Sequence, residues 1–154
     1  MNLKKLNILL ADDDNDDCIF FKVAVEEFSL PADVATVNNG EQLMQLLKKE
    51  TNELPDVIFL DLNMPRKNGF KCLLEIKLSE NLKQIPVIIF STSFEHEVVS
   101  LLYENGALYF IRKPSEFLKF KKIIQQAITL IAEGSIAQPT RENFMLNQNS
   151  SLAS

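Results

Sequence analysis

Five carboxylates fall in six consecutive positions near the start of the chain: Asp12, Asp13, Asp14, Asp16 and Asp17, with Asn15 among them. The chain carries 16 basic and 21 acidic side chains, a formal charge of −5, so this cluster accounts for the whole excess. An acidic loop feeding a helix is ordinarily a solvated N-terminus that complements the helix dipole. A calcium loop is the first sharper reading to test. Asp12, Asp14 and Asp16 fit its first positions, but Asp17 stands where glycine is needed and Val23 where glutamate is needed, so it fails. Three more residues follow apolar runs: Asp61 after Val57-Ile58-Phe59-Leu60, Ser91 after Val87-Ile88-Ile89-Phe90, and Lys113 in Arg112-Lys113-Pro114. Taken singly, Ser91 reads as a helix cap and Lys113 as a surface lysine. Asp61 fits a cap less well, because the segment from Leu62 to Gly69 delays the next helix.

The elements decide whether these residues meet. Short β-branched or aromatic runs at Leu6–Ala11, Val34–Val37, Val57–Leu60, Val87–Phe90 and Leu108–Ile111 alternate with amphipathic stretches near 16–28, 40–50, 68–80, 94–105 and 115–132. The last stretch carries Phe117, Phe120, Ile124, Ala127, Ile128 and Ile131 at three- and four-residue steps. Gly106 and Gly134 lie just past helix ends, and Asn39 with Gln42 and Thr92 with Glu95 have capping-box spacing. Five strand–helix units with runs apolar on both faces predict an α/β fold, a doubly wound parallel sheet with helices on each side. Ligands bind such sheets beyond the carboxyl ends of the strands. Carboxylates, a hydroxyl and an ammonium then converge on one edge. Crowded carboxylates need a cation, and hard oxygen ligands suit Mg²⁺. An ion beside one carboxylate, faced by a hydroxyl and an ammonium, cradles the oxygens of a phosphoryl group moving in line to an aspartate.

Across roughly residues 5–132 the chain resembles the receiver domain of two-component response regulators, in particular the stand-alone receivers of chemotaxis and phytochrome signalling. The matching motifs are Ile8-Leu9-Leu10-Ala11-Asp12-Asp13-Asp14, Val57 through Pro65 with Gly69, Pro86 through Ser93, and Gly106-Ala107 through Lys113-Pro114. The resemblance implies a flavodoxin-like three-layer sandwich: a five-stranded sheet in the order 2-1-3-4-5 with five helices. It implies Asp61 as phospho-acceptor, with Mg²⁺ held by Asp13, Asp61 and the Asn63 backbone carbonyl, and Asp12 acting through water. Ser91 and Lys113 would bind phosphoryl oxygens, and the Lys113–Pro114 bond would be cis. Phe110 takes the aromatic switch position and lacks a tyrosine hydroxyl, so a switch with Ser91 rests on packing. Thr92 is bulkier than the Ala or Gly common there and would hinder access to the acyl phosphate. Asp14, Asp16 and Asp17 receive no role beyond capping.

The implied function is that of a signalling phospho-acceptor, not an enzyme. The donor would be a sensor histidine kinase or phosphotransfer protein, and the output a change in the surface of the fourth helix, fifth strand and fifth helix, which also offers a homodimer face. His96, the only histidine, reads as a solvated residue, and no glycine-rich nucleotide loop is present. A phosphatase of the haloacid-dehalogenase type would use Asp12 and Asp14, but Asp16 is not its expected Thr or Val. An FMN module would be repelled by the acids, and the chain has no Trp to stack on a flavin. A phosphorylation-independent scaffold is the main rival. Without a basic stripe, nucleic acid is not an expected partner. No apolar run suits a membrane span or signal peptide, and Cys18 and Cys72 read as reduced thiols, so a cytoplasmic location is expected. The receiver domain is assigned to residues 1–134. Residues 135–154, rich in Ser, Asn, Gln and Ala without period, are expected to be a flexible tail, with short turns around Phe144-Met145-Leu146.

Overall fold

The computed structural model describes residues 5–49, 53–92 and 95–146. The apolar runs form β1 (Leu6–Ala11), β2 (Ala32–Val37), β3 (Val57–Leu60), β4 (Val87–Ser91) and β5 (Tyr109–Arg112). Between and after them lie α1 (Asn15–Glu26), α2 (Gly40–Leu47), α3 (Gly69–Leu78), α4 (His96–Glu104) and α5 (Phe117–Ala132). All pairings are parallel, and the expected strand order is kept. Every residue of β3 and β4 is buried, which is why their sequences run apolar instead of alternating.

Because successive side chains point to opposite faces, each strand feeds two cores. Leu9, Ile58, Leu60, Ile89 and Phe110 pack on the side that holds Leu43, Leu73, Ile76 and Val99 of α2, α3 and α4. Leu10, Phe59, Ile88, Phe90 and Ile111 pack on the side that holds Phe21 of α1 and Phe120, Ile124 and Ile128 of α5. Three of the helices, α1, α2 and α3, start where polar side chains take orphan N–H groups. Asp14 accepts from the backbone N–H groups of Asp16 and Asp17, Asn39 from Gln42, and Asn68 from Lys71. The expected box at Thr92 and Glu95 is absent. β4 runs through Ser91, so Thr92 only begins the connection, and Glu95 caps α4 without a side-chain bond.

The larger correction concerns the end of the chain. The sheet has six strands, not five: β6 (Met145–Leu146) pairs in parallel with β5, placing Met145 beside Phe110 and Leu146 beside Ile111. After Gly134 (φ 81°) ends α5, the chain passes α4, where Gln138 donates to the carbonyls of Tyr103 and Ala107 and the Tyr103 hydroxyl donates to the Pro139 carbonyl. A 3₁₀ turn (Arg141–Asn143) then brings Phe144 to full burial. Removing that ring from water drives the segment onto the sheet, and β6 closes an otherwise open edge. The part of the expected tail after Leu146 lies outside the described residues.

Candidate functional site

At the carboxyl edge of the sheet, backbone bonds continue the ladder from β1 to β2, from β3 to β1 and from β5 to β4. The Asp12 N–H donates to the Val37 carbonyl at 3.0 Å, that of Asp61 to Ala11 at 2.9 Å and that of Lys113 to Ser91 at 3.0 Å. Side chains far apart along the chain are thereby fixed on one edge. Asp12 and Ser91 are fully buried and Asp61 is 5% exposed, whereas Asp13, Asn63 and Thr92 are exposed. Carboxylate oxygens of Asp12, Asp13 and Asp61 lie within 4.8 Å of one another.

Lys113 is the counterion. Its side chain is 5% exposed, and its Nζ lies 2.8 Å from Asp12 Oδ2, 3.0 Å from Asp17 Oδ2 and 3.6 Å from Asp61 Oδ2. The Phe90 ring lies beneath, its centroid 5.3 Å from the ammonium. Burial pushes the Asp12 carboxyl up to about 7, although Lys113 and the Asp14 N–H work against it and Asp61 adds to the rise. Asp61 moves in the same direction, again through burial first, with Lys113 and the Asn63 N–H opposing. For Lys113, burial alone would favour the neutral amine, but Asp12, Asp61 and Asp17 outweigh it and hold the ammonium above its ordinary range. One buried positive charge faces a surplus of carboxylates. Exclusively oxygen donors, close together and under-neutralised, are the ligand set of a hard divalent cation, so the residues fit one.

The expected residues are thus not all placed alike. Asp12, Asp13, Asp61 and Lys113 come together. Ser91 ends β4 in register with Arg112, immediately before Lys113. Phe110 lies fully buried in β5, facing a cleft of about 260 Å³ that Leu62, Asn63, Val98 and Val99 also line. The Lys113–Pro114 bond, expected cis, is trans, as are all described peptide bonds; trans is the lower-energy X–Pro isomer by about 0.5–1 kcal/mol. Asp17, left as a capping acid, is a direct partner of Lys113. The signal was present in α1, whose buried residues Phe21, Ala24 and Val25 mark the inward face. Stepping back four positions from Phe21 puts Asp17 on that face.

The loop between β3 and α3 is folded tightly enough that Arg66 takes a φ of 68°. Gly69 makes this possible: its N–H donates to the Leu62 carbonyl at 3.0 Å, and a Cβ there would sit 2.2 Å from the Asp61 carbonyl oxygen. The Gly69→Ala variant is therefore expected to lose about 1–3 kcal/mol of stability in urea melts, through overpacking. The strain would fall on the backbone that carries Asp61, so the variant should also bind divalent cations more weakly. Unchanged values for both would show that the loop accommodates the methyl.

The receiver domain of response regulators, as a family profile, matches residues 8–125, more than half the chain. The response regulator Rcp1 of Synechocystis is 29% identical over 122 residues, 77% of this chain and 83% of its own length. The probable C4-dicarboxylate response regulator DctR of Bacillus subtilis is 36% identical over 92 residues, but the match spans 38% of its length. Among solved structures, the phosphorylated cyanobacterial phytochrome response regulator RcpA superposes with a TM-score of 0.79 at 29% identity, covering 89% of this chain and 100% of that one. The Mn²⁺-bound form of Rcp1 gives a TM-score of 0.79 at 27% identity, with 88% and 99% covered.

Proposed function

The chain belongs to the response regulator receiver domain family, and from that premise we propose that Asp61 accepts a phosphoryl group from the phosphohistidine of a sensor histidine kinase or phosphotransfer protein. The observation that carries this reading is the position of Asp61: one carboxylate at the end of β3, nearly buried, clustered with Asp12 and Asp13 and 3.6 Å from a buried ammonium. In the step, a carboxylate oxygen of Asp61 forms a bond to phosphorus as the phosphorus–nitrogen bond breaks, and the imidazole nitrogen keeps the electron pair. Asp13, Asp61 and the Asn63 carbonyl would hold Mg²⁺, with Asp12 acting through water. When bound, the ion neutralises charge on the transferring oxygens. Lys113 meets the negative charge arriving at Asp61, and Ser91 donates its hydroxyl to it. Exclusion of bulk water by the surrounding core strengthens both contacts.

An apolar face borders the pocket where α1 and α5 begin. Ile19 is 57% and Leu118 67% exposed, and the rings of Phe20 and Phe117 meet at 5.5 Å. A helical donor would seat there, beside Asp61. The output is read on the other side: drawing Ser91 toward the phosphoryl group repacks Phe110 against α4. A homodimer through α4, β5 and α5 would have to include or displace residues 138–146, which already cover β5. On this proposal the protein is a signalling phospho-acceptor acting in the cytoplasm, where histidine kinases present their phosphohistidine, and not an enzyme. No described helix is long and apolar enough to cross a membrane. The test is incubation with acetyl phosphate and Mg²⁺, followed by intact mass. A gain of one phosphoryl group, absent in Asp61→Asn and absent with chelator, is expected. No gain would favour a phosphorylation-independent scaffold, and a gain retained by Asp61→Asn but lost in Asp12→Asn would favour phosphatase-like chemistry.

A further inference from the structure

We propose that Asp17 is a positioning residue that holds the Lys113 ammonium toward α1 and competes for it with the phosphoryl group on Asp61; this rests on the acceptor reading above. Three acids beyond the metal cluster sit in this segment, and they do different things. Asp14 is the α1 cap, Asp16 is exposed and makes no ion pair among the described residues, and only Asp17 reaches Lys113, at 3.0 Å. An ammonium has three N–H donors. Here its carboxylate neighbours are Asp12 at 2.8 Å, Asp17 at 3.0 Å and Asp61 at 3.6 Å, so the acceptor has the loosest hold on the lysine.

A phosphoryl group on Asp61 brings more negative charge to that weakest contact. To bind it closely, Lys113 must move toward Asp61, and that shift lengthens a contact to one of its two nearer partners. Asp12 is the costlier one to release, because its side chain is fully buried and water cannot replace the lysine there. The Asp17 side chain is 21% exposed and can be taken over by water. Asp17 is therefore the partner that lets go, and the strength of its hold sets how readily Lys113 commits to the phosphoryl group. Its own charge, on the same ammonium, also opposes the incoming one.

Fluoroberyllate, a mimic of the phosphoryl group on aspartate, is the probe, titrated with Mg²⁺ and followed by ¹⁹F NMR. The Asp17→Asn variant should bind it about fivefold more tightly than wild type, the scale of one partly exposed ion pair. Asp17→Glu, which restores the charge, should return to wild type, and Asp16→Asn should not change. Structural damage at Asp17 would weaken binding, so a gain separates the two. Equal or weaker binding in Asp17→Asn overturns the assignment, as does a gain of the same size in Asp16→Asn. If wild type neither binds fluoroberyllate nor gains mass with acetyl phosphate, the acceptor reading falls and this inference with it; if wild type does both, only the role of Asp17 is at stake.

Discussion

Replacing Lys113 with methionine is expected to cost about 3–5 kcal/mol of folding stability at pH 8 without divalent metal, the scale of breaking a buried ion pair on one side. Methionine keeps most of the side chain's length, so the loss reports charge more than shape. The ammonium lies against Asp12 and Asp61, which have almost no contact with solvent. Without it, two buried carboxylates repel each other. Two observations would identify that cause. The cost should shrink at pH 5, where Asp12 takes a proton, and it should shrink on adding Mg²⁺. Urea melts of both proteins at both pH values, with and without the ion, provide the four comparisons. A loss that is the same at both pH values and indifferent to metal would mean that Lys113 supports the fold by packing alone.

The wild-type protein should show the same surplus of negative charge in its own pH dependence. Burial raises the Asp12 carboxyl from its ordinary 3.8 to about 7, and Asp61 shifts in the same direction. A carboxyl raised by folding binds its proton more tightly in the native state. Its contribution is complete below 3.8 and is lost as pH climbs through about 7. Lys113 is raised above its ordinary 10.5, so its contribution persists through that window and disappears only in strong alkali. The metal-free protein should therefore melt at falling temperature between mildly acidic and neutral pH, and the stabilisation gained from Mg²⁺ should grow over the same interval.

Much of this pocket could be read from residue order, for a physical reason. A parallel sheet buried on both faces writes its strands as apolar runs, and the first polar residue after each run marks the carboxyl edge. Asp12, Asp61 and Ser91 follow that rule directly. Lys113 follows it one residue late, because Arg112 belongs to β5 and is exposed at the edge. Asp17 was harder to separate from Asp14 and Asp16, since all three types suit a first helical turn. Only the phase of α1, set by buried residues further along, distinguishes the acid that faces the sheet. β6 left still less trace. Two residues have no period, and Phe144 is one ring in a polar stretch, so nothing local reveals that it completes a core built from residues distant in the chain, such as Val99 and Leu102.

That ring is the basis of the second large effect. Phe144 is fully buried in the cluster that contains Val99, Leu102 and Phe110, and its ring meets that of Tyr103 at 5.1 Å. Its carbonyl also accepts from the Phe110 N–H at 3.0 Å. The Phe144→Ala variant should lose about 3 kcal/mol, toward the lower end for a buried phenylalanine because a segment paired to the sheet through only two residues can relax. The loss should be local as well as global. Without the ring, two residues of parallel pairing cannot hold β6, since a short strand depends on its side chains for stability. Amide exchange at Phe110 would then accelerate well beyond the change in overall stability, while amides in β3, such as Ile58, would follow the global value. This matters for signalling because the freed edge belongs to β5, which carries Phe110, the residue proposed above to repack on phosphorylation. With the segment in place, a partner approaching the free edge of β5 meets residues 145–146 first. Phe144→Ala should open that surface without touching the acidic pocket, leaving phosphoryl uptake at Asp61 intact. A variant as stable as wild type, with Phe110 still protected, would show instead that backbone contacts suffice to keep the segment seated.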